Sequence, residues 1–169
     1  MSSFKNLIVE YKQSKASVLS LIQSEKIMNI ATCNNTGSWT APVCFVYYAS
    51  DFCFFSSTNS RHIIDSFSQK NVAASIHTNT CTWQDIKGVQ MTGSIKSVSS
   101  FGKSTRTITA YLDKFPFCRE FFSTDKNIIT PDDFFNIFKA KLYKFIPEDI
   151  YYLDNQIGFG KREKIEFLP

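Results

Sequence analysis

Two tight-turn signals, Asn34-Asn35-Thr36-Gly37 and Ser50-Asp51, separate three short apolar runs, and this spacing constrains the fold more than any other feature of the 169-residue chain. Asn and Gly tolerate positive φ and reverse the backbone within a few residues. The runs at Ile27–Cys33, Trp39–Tyr48 (broken early by Pro42) and Phe52–Ser56 are rich in β-branched and aromatic residues, so two successive hairpins, an antiparallel meander, are predicted. In the first run Met28, Ile30 and Thr32 share one face and Ile27, Asn29, Ala31 and Cys33 the other; both faces are largely apolar.

Further strands are predicted at Val72–Ile76, Val89–Val98, Leu142–Ile146 and Ile150–Leu153, with Pro147-Glu148-Asp149 turning between the last two. Residues 3–24 read as an amphipathic helix, with Leu7, Ile8, Tyr11, Val18, Leu19 and Ile22 at helical spacing. A helix beginning near Arg61 carries Ile63, Ile64 and Phe67 inward, and one over residues 103–114 carries Ile108, Tyr111, Leu112 and, just beyond it, Phe115. Thr130-Pro131-Asp132-Asp133 starts another, with an N-cap, a proline in the first turn and acids facing the helix dipole; Phe134, Phe135 and Phe138 pack from it. Strands dominate and the helices are short. The expected fold is α+β: a small antiparallel β-barrel with peripheral helices, in one domain over residues 1–169.

Composition narrows the function. The net charge of +4 is spread along the chain without a polybasic run, so nucleic acid is not an expected partner. Five cysteines, at 33, 44, 53, 81 and 118, show no C-x-x-C spacing; they read as buried free thiols, and neither a metal site nor a disulfide framework is expected. Charges at Lys5, Glu10 and Lys12 argue against a secretory signal or membrane span, which makes the cytoplasm the default location. Seventeen phenylalanines in so small a chain would leave apolar surface exposed in a monomer, which favours a homodimer.

One segment carries chemistry. In Phe54-Phe55-Ser56-Ser57-Thr58-Asn59-Ser60-Arg61-His62-Ile63-Ile64 an apolar strand runs into a polar turn that delivers a serine, an arginine and a histidine to a helix start. Backbone N–H groups there point outward unpaired and the helix dipole favours an anion, so a phosphate is a suitable ligand. Arg61 adds a forked, charge-assisted contact, Ser60 a hydroxyl and His62 a third donor. Taken alone, the local sequence favours the plainer reading, in which Ser60 caps a surface helix and Arg61 and His62 are solvated. Gln90 alternates with apolar neighbours and, taken alone, faces solvent; Trp39 and Trp83 read as core or interface anchors, and His77 as a surface residue. Gly158-Phe159-Gly160 indicates only a tight turn, and no hydrolase, metalloprotease or kinase motif is present.

Three segments in order, Asn59-Ser60-Arg61-His62, Lys87-Gly88-Val89-Gln90-Met91-Thr92-Gly93 and Asp154-Asn155-Gln156-Ile157-Gly158-Phe159-Gly160-Lys161, resemble the pyridoxamine 5'-phosphate oxidase-like family of flavin-binding split barrels, across roughly residues 25 to 165. The nearest likeness is its uncharacterised bacterial YhbP-like branch. The resemblance implies an FMN-dependent oxidoreductase that binds FMN at a homodimer interface and acts on a small-molecule substrate. It assigns the strand along the flavin ring to Thr40, Ala41, Pro42 and Val43, continuing to Cys44 and Phe45; the next contacts to Phe55 and Ser56; the phosphate to Ser60, Arg61 and His62; the amide at the flavin to Gln90; and a basic residue near the end of the pattern to Arg162. The chain departs from the vitamin-making oxidases at Thr40 and Phe45, where those enzymes carry an arginine and a lysine, so the substrate is left open. A flavin accepts hydride without a protein acid or base, hence no catalytic side chain is named. A non-catalytic module holding flavin or haem, with His62 and His77 as the available imidazoles, and a deazaflavin carrier are the alternatives on the same fold.

Overall fold

A computed structural model describes residues 14–69, 71–123 and 128–166. Within the expected first helix, residues 14–24 are helical (α1) and bury Val18, Leu21 and Ile22, while Leu19 faces outward; residues 3–13 lie outside the described residues. The meander forms as expected, with β1 (Ile27–Asn34), β2 (Gly37–Tyr48) and β3 (Asp51–Ser56). Helix α2 (Arg61–Ser68) leads to β4 (Val72–His77), β5 (Lys87–Ser97), α3 (Phe101–Lys114), α4 (Pro131–Phe138), β6 (Lys141–Asp154) and β7 (Arg162–Lys164). Short 3-10 turns at Trp83–Asp85 and Pro116–Phe121, together with β7, had no clear signal in the sequence.

All strand pairs are antiparallel, in the order β3-β2-β1-β4-β5-β6-β7, and β3 also pairs with β6. That last pairing closes six strands into a ring, with β7 added to β6. Met28, Ile30, Phe45, Phe52, Phe54, Ile76, Val89 and Phe145 fill the ring and are fully buried. A second core forms outside it, where α3, α4 and the Pro116–Phe121 turn cover the opposite face of β2, β3 and β6 through Val46, Cys53, Ile108, Leu112, Phe115, Phe134 and Leu142. These strands are apolar on both faces because both faces are packed, which accounts for many of the phenylalanines.

Several details differ from the sequence reading. Pro42 does not break β2. The N–H of Phe45 donates to Lys26 O (3.2 Å), which fixes the alternation and turns the Pro42 nitrogen away from β1; the β2–β3 pairing covers only Phe45–Tyr48, so no ladder bond is lost. Pro147-Glu148-Asp149 is not a turn, because β6 runs through it. Opposite it the register moves from Thr92↔Asp149 to Gly93↔Pro147, leaving Glu148 as the extra residue of a β-bulge. A methyl group on Gly93 would run into the Ile146 carbonyl oxygen and the Phe145 ring, so the bulge requires glycine there. The second turn is centred on Ala49-Ser50 (φ 50° and 64°), one residue earlier than expected, and Asp51 opens β3. The Asp51 carboxylate is held by Lys103 (2.8 Å) and Lys144 (2.9 Å); burial would raise its pKa, but the two ammonium groups outweigh burial and lower it.

Helix α2 is rotated relative to the expectation. Ile63 is buried, but Ile64 and Phe67 are 55% and 57% exposed. The inward positions go to His62, Asp65 and Ser66, because Asp65 accepts hydrogen bonds from Thr32 Oγ1 (3.3 Å) and Asn34 Nδ2 (2.7 Å) on β1. In α4 the Thr130–Asp133 capping box forms, Phe134 is buried, and Phe135 and Phe138 stay 40% and 38% exposed. All five cysteines are free; Cys53 and Cys118 are buried, Cys44 is half-buried, and Cys33 and Cys81 are exposed rather than interior.

Replacing Gly93 by alanine tests the bulge. The added methyl meets backbone, which cannot rotate away, so Gly93→Ala is expected to lower stability by about 2 kcal/mol or more, read as a lower urea midpoint at unchanged slope.

Candidate functional site

Besides the outer side of β7, the first half of β2 is an edge of the sheet. From Gly37 to Cys44, β2 pairs with β1 on one side and, among the described residues, has no strand partner on the other. By the same alternation, Ser38, Thr40 and Cys44 turn their backbone N–H and C=O groups to this open edge, and Pro42 only its C=O. Pro42 on such an edge also discourages pairing with a stray strand.

The start of α2 stands beside this edge. Arg61 Nε lies 3.4 Å from Asp65 Oδ2, and Nη2 lies 3.3 Å from both Thr36 Oγ1 and Gly37 O in the β1–β2 turn. The guanidinium covers the Trp39 ring at 4.9 Å from its centroid, with the Arg61 side chain 37% exposed. Ser60 holds the N-cap position, but its hydroxyl caps nothing; it accepts from Ser56 Oγ at 3.2 Å. The N–H groups of Ile63 and Ile64 both bond Ser60 O at 3.0 Å, and those of Arg61 and His62, in the first turn, have no acceptor among the described residues. His62 is buried, its Nε2 2.9 Å from Ser56 Oγ; burial lowers its pKa against the opposing pull of Asp65, which favours neutral imidazole.

The second part of the site is the outer face of β1, β4 and β5, which no described helix covers, with the margins of β2 and β6. Two adjoining cavities lie along it. One, of about 350 Å³, is lined by Asn29, Thr40, Ser75, Gln90 and Tyr151 over a floor that includes Ala31 and Ala73. The other, of about 490 Å³, shares Ala31, Ala73 and Thr92 and continues to Cys33, Ser38 and Glu148. Register explains the shared face: Ala31 lies opposite Thr40 and Ala73, and Ser75 opposite Asn29 and Gln90. Arg162 on β7 reaches over, and its Nε donates to Gln90 Oε1 at 2.7 Å. Since a guanidinium can only donate, this bond points the Gln90 amide oxygen at Arg162 and leaves its NH2 group for the groove.

The sequence-derived residues thus fall into groups. Thr40 and Gln90 line one cavity, and Arg162 joins it through Gln90. Ser56, Ser60, Arg61 and His62 cluster at α2. Ala41 and Val43 turn their side chains to the interior, opposite Ile30 and Met28. Phe55 is committed to the second core, stacked on Phe134 (centroids 4.0 Å apart) with Tyr111 edge-on at 5.0 Å. Sequence reasoning missed Ala31, Ala73, Ser75 and Tyr151; the signal was present as small residues alternating with Val72, Ala74 and Ile76. Trp39 is a platform for Arg61 rather than a core anchor, and His77, exposed, bonds its own Thr78 carbonyl through Nδ1 (3.1 Å). Among the described residues no group of His, Cys, Asp and Glu could hold a metal ion, and no helix is long and apolar enough to cross a membrane.

His62 makes stability pH-dependent. Its folded pKa lies below the unfolded value of about 6.5, so its contribution is complete above that pH and is lost as pH falls toward the folded value. Urea unfolding between pH 7.5 and 5 is expected to show stability declining in that direction, and His62→Gln to flatten the decline.

No family model matches the chain. It is 25% identical over 126 residues to a UPF0306 protein of Klebsiella pneumoniae, covering 73% of this chain and 74% of that one. Among solved structures it is similar to ChuZ of Campylobacter jejuni (TM-score 0.69, 13% identity, 98% of this chain and 68% of that one). It is also similar to a heme binding protein of Mycobacterium smegmatis (TM-score 0.63, 12% identity, 85% and 54%) and to a FAD-binding protein of Mesorhizobium loti (TM-score 0.57, 8% identity, 78% and 88%). The chain therefore shares its α+β barrel fold with proteins described as binding heme and FAD.

Proposed function

We propose that the chain is an FMN-binding flavoprotein of the pyridoxamine 5'-phosphate oxidase-like kind, near the YhbP-like branch, working as a homodimeric oxidoreductase. The observation that carries this reading is that the first half of β2 adjoins both parts: Arg61 contacts Gly37 O and the Trp39 ring, and Ser38 and Thr40 border the small-residue floor that ends at Gln90. The residues suit the group. Arg61, the Ser60 hydroxyl and the free N–H groups of Arg61 and His62 form a cationic, donor-rich corner for a phosphate. Thr40 and Gln90 lie on strands three spacings apart, roughly 14 Å, enough for a flat tricyclic ring over Ala31 and Ala73. The Thr40 hydroxyl and the Gln90 amide N–H, both in the cavity lining, can donate to ring oxygens.

FMN, when bound, supplies a centre that accepts hydride; the chain's own part is position and charge. Arg162 holds the Gln90 amide in its donating orientation, and Asp65 holds the Arg61 guanidinium at the β1–β2 turn. The floor is one wall only, and a ring exposed on its other side would be solvated. A second copy covering the same face would supply the other wall and exclude water.

Fluorescence titration with FMN tests the reading, with the absorption spectrum of the loaded protein as a control against haem, which gives a Soret band. Arg61→Ala is expected to weaken FMN binding about tenfold or more while the far-ultraviolet circular dichroism is kept. Absence of FMN binding by the wild type, or equal affinity in the variant, would sink it. NADH or NADPH turnover with the loaded protein separates an enzyme from an inert carrier.

A further inference from the structure

The bulge in β6 gives the groove a feature that flavin binding does not use. Glu148, the unpaired residue of the bulge, is pushed out of the strand's alternation and lines the 490 Å³ cavity. Among the described residues it is the one charged side chain in the lining of either cavity. The neighbouring carboxylates on the same strand are already matched: Asp149 by Lys164 at 2.6 Å and Asp154 by Lys87 at 3.2 Å. Glu148 has no such cation among the described residues. Around it Asn71 and Ser38 offer neutral polar groups, while Val72, Ala73 and Ala31 offer apolar carbon. A divalent metal would demand more carboxylates than this.

We propose that this half of the groove is a substrate subsite for a small organic cation, an apolar body carrying a protonated amine, with Glu148 as its counter-ion. The apolar body lies against Val72, Ala73 and Ala31, and the ammonium meets the carboxylate at the groove's wet margin. The shared floor of Ala31, Ala73 and Thr92 places the subsite directly beside the surface assigned above to the flavin. That the cation is a substrate rests on the flavin reading; that it binds does not. The subsite also gives the bulge a purpose beyond bending β6, since a regular strand would have no residue at this position free to leave the pleat.

The test compares benzylammonium with its neutral analogue benzyl alcohol, titrated into the full chain and followed by amide chemical shifts, in the wild type and in Glu148→Gln. This substitution leaves the backbone of the bulge unchanged. The wild type is expected to bind the cation at least tenfold more tightly than the alcohol, with shifts concentrated at Asn71, Ala73 and Thr92, and Glu148→Gln to bring the ratio close to one. No preference in the wild type, or an undiminished preference in the variant, would overturn the proposal. FMN titrations of the same two proteins are expected to agree within a factor of two. If neither binds FMN and the charge preference still depends on Glu148, the cation site stands and the flavin reading fails.

Discussion

Strand β6 is the constraint on which the rest of the structure depends. Its first half pairs with β3 to close the ring, its second half carries β7, and β5 lies along its other edge from end to end. A fourteen-residue strand serving two neighbours in succession has to coil, and the bulge at Glu148 supplies the local twist. Gly93 makes this possible by letting the Ile146 carbonyl approach where any side chain would block it. Pro147 can sit inside the strand because the bulge interrupts the regular ladder there.

Closure through β3 and β6 has a second consequence. It packs the outer face of β2, β3 and β6 under α3 and α4, yet leaves the outer face of β1, β4 and β5 uncovered by any described element. The first half of β2 remains an edge, because β3 reaches only as far as Phe45 on it. The ring therefore creates, next to one another, an open backbone edge, a floor of small side chains and the start of a helix. Asp65 ties these parts together. Nearly buried, it accepts from Thr32, Asn34 and Arg61 at once, so the β1–β2 turn, the strand and the helix start move as one piece. A guanidinium held this way is pre-organised for an anion, although Asp65 offsets part of its charge.

The parts of this architecture that were legible in the sequence were those written in local chemistry. The Asn34–Gly37 turn, the Thr130 capping box and the alternation of Val89, Gln90, Met91 and Thr92 each declare themselves within a few residues. What was not legible depends on distant partners. Pro147-Glu148-Asp149 has turn composition, and only the β5 partner with Gly93 in register makes it a bulge. Ile64 and Phe67 have the spacing of a buried helix face, but the pull of Thr32 and Asn34 on Asp65 rotates α2 away from it. Phe55 illustrates the same point for the candidate site: the resemblance puts it beside the ligand strand, whereas the second core, invisible in local sequence, takes its ring. Arg162 was found only through the resemblance, since β7 is three residues long and has no periodicity of its own.

The charges along the bare face are distributed with a direction. Cys33, Ser38 and Glu148 mark one end, Gln90 with Arg162 the other, and the floor between them is neutral. Near a low-dielectric floor, charges at opposite ends of a groove keep more of their field than they would on a convex surface. On the flavin reading, negative charge gained by the ring on reduction falls at the Arg162 end, where the Gln90 amide is oriented to donate. A cation at the Glu148 end then lies at the far side of the same neutral floor, its charge balanced locally. The two demands do not compete for one group. On the same reading a neutral Thr40 suits this separation, while Phe45 lies in the barrel core and takes no part in it. A ligand that brings its own positive charge is matched by one carboxylate on a bulge, and a cation at Thr40, in the lining of the same groove, would oppose it.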